Sequence, residues 1–69
     1  MVLIFKTSVS KRNELRRLRP LLNRILNGDG KWNFDLEDCD NILRVETKEV
    51  GSVAVSSLLR IHGFYCEEL

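Results

Sequence analysis

Two thiols and one imidazole are the soft donors of this chain. Cys39, His62 and Cys66 together could hold copper or zinc, because thiolate sulfur and imidazole nitrogen are donors those ions favour. A second set is harder in character. Ser10-Lys11-Arg12-Asn13-Glu14 gathers a hydroxyl, two cations and a carboxylate where an amphipathic stretch begins, and that mixture suits a small anion or an acidic surface. Catalysis finds no comparable footing. The single histidine has no nucleophile at motif spacing, no glycine-rich loop runs into Lys-Ser or Lys-Thr, and the carboxylates collect mainly on the polar side of one strand. The chain reads as a non-enzyme.

These residues need elements to hold them. Within residues 8–27, Leu15, Leu18, Leu22, Ile25 and Leu26 repeat with the spacing of one buried helical face. Arg16, Arg17 and Arg24 fall opposite that face, and Lys11, Arg12 and Arg19 lie on its flanks or at its start, so six of the eleven basic residues belong to this helix. Ser10 is the predicted N-cap, and Asn27-Gly28 the stop that tolerates positive φ. Pro20 removes a helical donor, which predicts either a kink near residues 16–19 or a helix whose regular part begins at Pro20.

Residues 2–7 are almost wholly apolar and rich in branched side chains, as expected of a central strand buried on both or nearly both faces. Gly28-Asp29-Gly30 turns the chain. From Lys31 the period is two: Trp32, Phe34 and Leu36 point one way, and Asn33, Asp35 and Glu37 the other. Asp38-Cys39-Asp40-Asn41 reads as a turn, after which residues 42–47 return as a strand with Leu43 and Val45 on the same inner face. Residues 50–62 fit both a strand and a helix template. Their length and the following Gly63 decide for a helix, leaving residues 64–67 as a short last strand. The order β-α-β-β-α-β predicts one α+β domain over residues 1–69, a ferredoxin-like four-stranded antiparallel sheet with two helices on one face.

In that topology the first strand–helix connection, the hairpin turn and the second helix–strand connection share one end. Ser10, Lys11, Arg12, Glu14 and His62 are therefore the candidate binding residues. Cys39 belongs to the same end and Cys66 lies a few residues down the last strand. The hairpin turn and that strand sit toward opposite sides of the sheet, so the two thiols and His62 do not close around one ion within one chain, which leaves an interface between two copies. Taken singly, Cys66 alternates with Phe64 as a small buried hydrophobe, Cys39 sits exposed in an acidic turn that disfavours a reactive nucleophile, and His62 is a cation placed near the negative end of a helix.

Phe5-Lys6-Thr7 leading into a loop, the spacing of Leu15, Leu18 and Leu22, the Trp32-Asn33-Phe34-Asp35-Leu36 strand, Leu43-Arg44-Val45, and Leu58-Leu59 followed by Gly63-Phe64 carry a resemblance. Over nearly its whole length the chain resembles the heavy-metal-associated domain of copper chaperones and metal-transporting ATPases. The resemblance implies the same fold. In that family two cysteines separated by two residues bind a soft ion such as copper(I) at the start of the first helix. The matching positions here are Lys11 and Glu14, neither of which can be a thiolate ligand. What is implied is a divergent member with a degenerate metal site and no cofactor. Lys11 and Glu14 can form a surface pair worth about 0.2–0.5 kcal/mol, and Lys11 with Arg12 beside a helix N-terminus would attract an anion.

A net charge of +1 and a pI near 7.8 argue against a general polyanion binder, because Asp29, Asp35, Glu37, Asp38 and Asp40 balance the basic helix. RNA-recognition domains share the strand order, yet the first strand offers Ile4 or Phe5 and the third Leu43, Arg44 and Val45 where a pair of stacking aromatics is needed, so nucleic acid is not expected. No apolar run approaches the roughly 20 residues of a membrane span. Residues 1–5 are cut short by Lys6 and lack a small-residue cleavage site, so they do not read as a signal peptide, and two irregularly spaced cysteines fit free thiols in the cytoplasm. The expected function is that of a cytoplasmic, non-catalytic interaction module. Its expected partner is another protein, met at the loop end or on an open sheet face carrying Val2, Ile4 and Ile42, with a second copy or a small anion as further candidates. The alternative is a copper- or zinc-handling protein that uses Cys39, His62 or Cys66 in an unorthodox site or across a dimer, and a further alternative is anion or nucleic-acid binding through the basic first helix.

Overall fold

The computed structural model describes residues 1–37 and 39–69. Asp38, with which the expected hairpin turn begins, lies outside the described residues. The elements run β1 (Val2–Thr7), α1 (Arg12–Leu26), β2 (Gly30–Asp35), β3 (Ile42–Thr47), α2 (Ser52–Ile61) and β4 (Cys66–Glu68). The four strands pair antiparallel in the order β2-β3-β1-β4, which is the ferredoxin-like arrangement. Leu3 stands opposite Val45, Thr7 opposite Cys66 and Phe34 opposite Leu43. β1 and β3 are thus central, and β2 and β4 are the edges.

One layer of side chains joins the sheet to the helices. Leu3, Phe5, Phe34, Leu43, Val45 and Cys66 come from the strands, Leu18, Leu22 and Leu26 from α1, and Val55 and Leu59 from α2. Trp32 and Leu36 pack against this layer at its margin. β1 is buried on one face only, against expectation: Leu3, Phe5 and Thr7 point inward, while Val2, at 55 % exposure, Ile4 and Lys6 face away from the helices. An uninterrupted apolar run cannot tell a strand covered twice from one covered once, and among the described residues no element covers the second face. That face carries Val2, Ile4 and Ile42 as expected, among charged residues. Ile4 and Ile42 are half-buried, and charges surround them, with Lys31 opposite Glu46 and Lys6 opposite Glu67.

α1 begins one residue later than expected, with Lys11 rather than Ser10 as its N-cap. The cause is Glu14, whose carboxylate reaches back to accept from the Ser10 and Lys11 amides at 3.0 and 3.1 Å. This is one half of a capping box, because the Lys11 ammonium has no acceptor with which to supply the other half. The helix continues through Pro20, so its regular part does not wait for that residue. Pro20 and Arg16 are both exposed, which lets water serve the Arg16 carbonyl that loses its donor. Asn27, at φ 43°, ends the helix in the left-handed region as expected. α2 closes on Gly63 at φ 87°, with the Gly63 amide on the Arg60 carbonyl at 3.0 Å and the Phe64 amide on the Leu59 carbonyl at 2.9 Å. β4 starts at Cys66 rather than residue 64 because Tyr65 is tied to the first loop: its amide donates to Ser8 Oγ at 2.8 Å and its carbonyl accepts from the Ser8 amide at 3.2 Å.

Two buried threonines end the two strands that lead into helices. Thr7 Oγ1 donates to the Asn41 carbonyl at 2.7 Å and accepts from the Val9 amide at 3.2 Å. Thr47 Oγ1 donates to Asp29 Oδ2 at 2.6 Å and accepts from the Val50 amide at 3.0 Å. Asp29 also accepts from the amides of Lys48, Glu49 and Val50 at 3.3, 3.0 and 3.1 Å. One carboxylate from the α1–β2 turn therefore holds the loop that leads into α2. The Thr47 hydroxyl, then the Glu49 and Val50 amides, favour its charged form and lower its pKa from 3.8 to about 2.

Thr7→Val removes both bonds and leaves the buried Val9 amide without a partner, which is expected to cost about 1–3 kcal/mol in urea unfolding. An unchanged midpoint would contradict the assignment. Asp29→Asn puts a donor among donors. Because the folded-state pKa of Asp29 is depressed, its contribution is complete above its ordinary value of 3.8 and disappears as pH falls through about 2. The variant should melt several degrees below wild type at pH 7, and the gap should close on acidification toward pH 2. A gap independent of pH would refute this role.

Candidate functional site

Three of the residues expected to share a site at the loop end are joined through the backbone. The Ser10 and Lys11 amides serve Glu14, and among the described residues no ion pair joins the side chains of Lys11 and Glu14. Lys11 and Glu14 thus offer an ammonium and a carboxylate already occupied by backbone donors, which does not fit a soft cation. His62 is the C-cap of α2 and lines a small hollow of about 230 Å³ with Arg17, Leu18, Leu21 and Phe64. Arg17 is committed there, its guanidinium carbon 5.7 Å from the centre of the Phe64 ring.

The soft donors are dispersed as well. Cys66 is fully buried in the core, where burial pushes its thiol up to about 11, and Cys39 is exposed in the hairpin turn. Among the described residues no group of three histidine, cysteine or acidic side chains is placed to hold an ion.

The larger concavities lie along the side where α1 packs beside β2. Arg12, Arg16 and Arg19 recur at offsets of four and seven, so they form one stripe on the helix. With Leu15 and Leu36, both half-buried, they line a groove of about 540 Å³. Arg19 continues into a second hollow of about 450 Å³ shared with Asn23, Gly30, Lys31 and Trp32. Together the two hollows run from the start of α1 and the end of β2 to the start of β2. Four cations line them, and none of the described lining residues is a carboxylate. Asp35, the nearest acid on β2, turns its Oδ1 to the Glu37 amide at 3.2 Å.

Local contacts hold this trough open. Trp32 Nε1 donates to Asn23 Oδ1 at 2.8 Å, which ties β2 to α1 and fixes the indole as part of the floor. The ring meets Phe34 edge-on, with centroids 5.9 Å apart and planes at 74°. Gly30 lets β2 approach β3 closely, since a methyl group there would run into the Glu46 carbonyl oxygen. The arrangement offers guanidinium groups over half-buried apolar surface, a setting for carboxylates or phosphates carried on a chain with some apolar character.

Of these residues only Arg12 was among the expected site residues. The arginine spacing was readable in the sequence, whereas Leu36, Lys31 and Trp32 join the arginines only through tertiary packing. The two thiols give a direct check on the dispersal of the soft donors. A thiol-reactive disulfide should titrate one equivalent rapidly in the native protein at pH 8, at Cys39, and the second only on unfolding. Two rapid equivalents would contradict the burial of Cys66. No family model matches the chain, and no curated protein or solved structure matches it.

Proposed function

We propose that the protein is a non-catalytic interaction module that binds an acidic partner protein in the trough between α1 and β2. The observation that carries this reading is the stripe of Arg12, Arg16 and Arg19 lining a groove with Leu15 and Leu36 and without a lining carboxylate. Its neutral overall balance, +1, supports a local charge recognition over general polyanion binding. On the helix-free sheet face, β1 and β3 present Ile4 and Arg44 opposite one another, while Phe5, Leu43 and Val45 are buried. This favours a protein partner over RNA stacked on the sheet.

The heavy-metal-associated resemblance belongs to the same proposal. On it the chain is a relative that has kept the scaffold without the cysteine pair, needs no cofactor, and presents an ammonium and a carboxylate, Lys11 and Glu14, where the family presents thiolates. Free thiols, one of them exposed, favour the cytoplasm as the compartment. Among the described residues no helix is long and apolar enough to cross a membrane.

The test is fluorescence anisotropy with a labelled peptide of glutamates and leucines. Binding should weaken as salt rises from about 0.05 to 0.5 M. Arg16→Glu with Arg19→Glu should lower affinity at least about tenfold, since charge-assisted hydrogen bonds are worth about 1.5–3 kcal/mol each. Arg24→Glu, on the same helix outside the groove, should leave affinity nearly unchanged. Equal losses from both changes would show a diffuse charge effect and refute the groove.

A further inference from the structure

We propose that the open edge of β2 accepts an additional strand from an acidic, extended segment of a partner protein, with alternate carboxylates of that segment lying beneath the arginine stripe of α1. This rests on the groove reading above and adds the mode of binding. β2 pairs with β3 on one side, and residues 30–34 have no strand on the other among the described residues. Such an edge presents alternate amides and carbonyls to any chain that comes alongside. The edge is also uncovered from above and below. The hollow of Arg19, Asn23, Gly30, Lys31 and Trp32 lies on its helix side, and a second of about 290 Å³, lined by Lys31, Trp32, Asn33, Arg44 and Glu46, reaches its other side.

One interval is shared by the two lattices. In an extended chain alternate side chains on one face are about 6.8 Å apart. Arg12 and Arg16 are separated by about 6 Å along the helix axis, close to that interval, and Arg16 and Arg19 by about 4.5 Å, a shorter step that the length of the arginine side chains has to span. A strand added at β2 turns every second side chain toward α1. The opposite edge offers no such match. β4 is three residues long and carries Glu67 and Glu68, which would repel an acidic strand.

A second copy is the poorer occupant. Antiparallel pairing of two β2 strands would set Lys31 near Asp35 of the other copy, but it would also place both rows of Arg12, Arg16 and Arg19 on the same side of one junction. A nucleic-acid strand lacks the amide and carbonyl ladder, and in the trough it would find a single indole already held by Asn23.

The experiment uses the full chain and a ten-residue peptide alternating glutamate and leucine, with N-methyl groups on every second amide in one phase or the other. Strand addition predicts that one phase weakens binding more than about tenfold, because the methyl groups remove ladder hydrogen bonds, while the other stays within about twofold. If the parent peptide binds and both phases match it, strand addition is overturned and the groove reading stands. If the parent peptide does not bind, both fall. Tighter binding of an oligothymidylate of equal charge, or a dimer in sedimentation that the peptide dissociates, would give the edge to another occupant and overturn the proposal.

Discussion

The Asp29 carboxylate is the constraint on which the geometry of this small domain depends. It leaves the end of α1, precedes the first residue of β2, and collects the hydroxyl of Thr47 and the amides of three successive residues before α2. Thr7 does the corresponding work at the other end of the sheet, where it accepts from the buried Val9 amide. Fixing Asp29 fixes the angle at which the chain leaves α1 for β2. The bond between Trp32 and Asn23 ties these two elements together along the trough.

The remaining electrostatics follow from how each charge is spent. Glu14 is used on backbone amides, Arg17 on the Phe64 ring, and Arg60 on the Cys66 carbonyl through two donors at 3.2 and 2.9 Å. Among the described residues Arg12, Arg16 and Arg19 make no such contact, and they are exposed along one side of α1. A domain of this size has little interior in which to enclose a ligand, so recognition at a rim between a helix and an edge strand is what its dimensions allow. On the proposed reading, the strand edge supplies direction and register, and the arginines select for charge.

Much of the fold was legible because periodicity reports burial. Leu18, Leu22 and Leu26 are the buried residues of α1, and Phe34, Leu43 and Val45 lie on the expected inner face. The failures have physical causes. Ser10 looked like the better cap, but Glu14 competes for the amides in front of the helix. The apolar alternate positions of β1 could not reveal that only one face is covered. The loop-end set of Ser10, Lys11, Arg12, Glu14 and His62 is a separate matter: it rests on nearness in topology, and within it the Glu14 carboxylate accepts from the Ser10 and Lys11 amides. The stripe of Arg12, Arg16 and Arg19 was visible as spacing, yet a groove needs a second wall, and Leu36, Lys31 and Trp32 become that wall only when β2 packs beside α1.

The most direct measurement of the central claim is amide chemical-shift mapping of the ¹⁵N-labelled protein during titration with an acidic peptide. The account predicts saturable shifts concentrated in residues 30–36 of β2 and its exit and in residues 12–23 of α1, with β4 and the helix-free face of β1 and β3 nearly still. Shifts centred on residues 8–11 and 62–65, or spread evenly over every basic side chain, would contradict it.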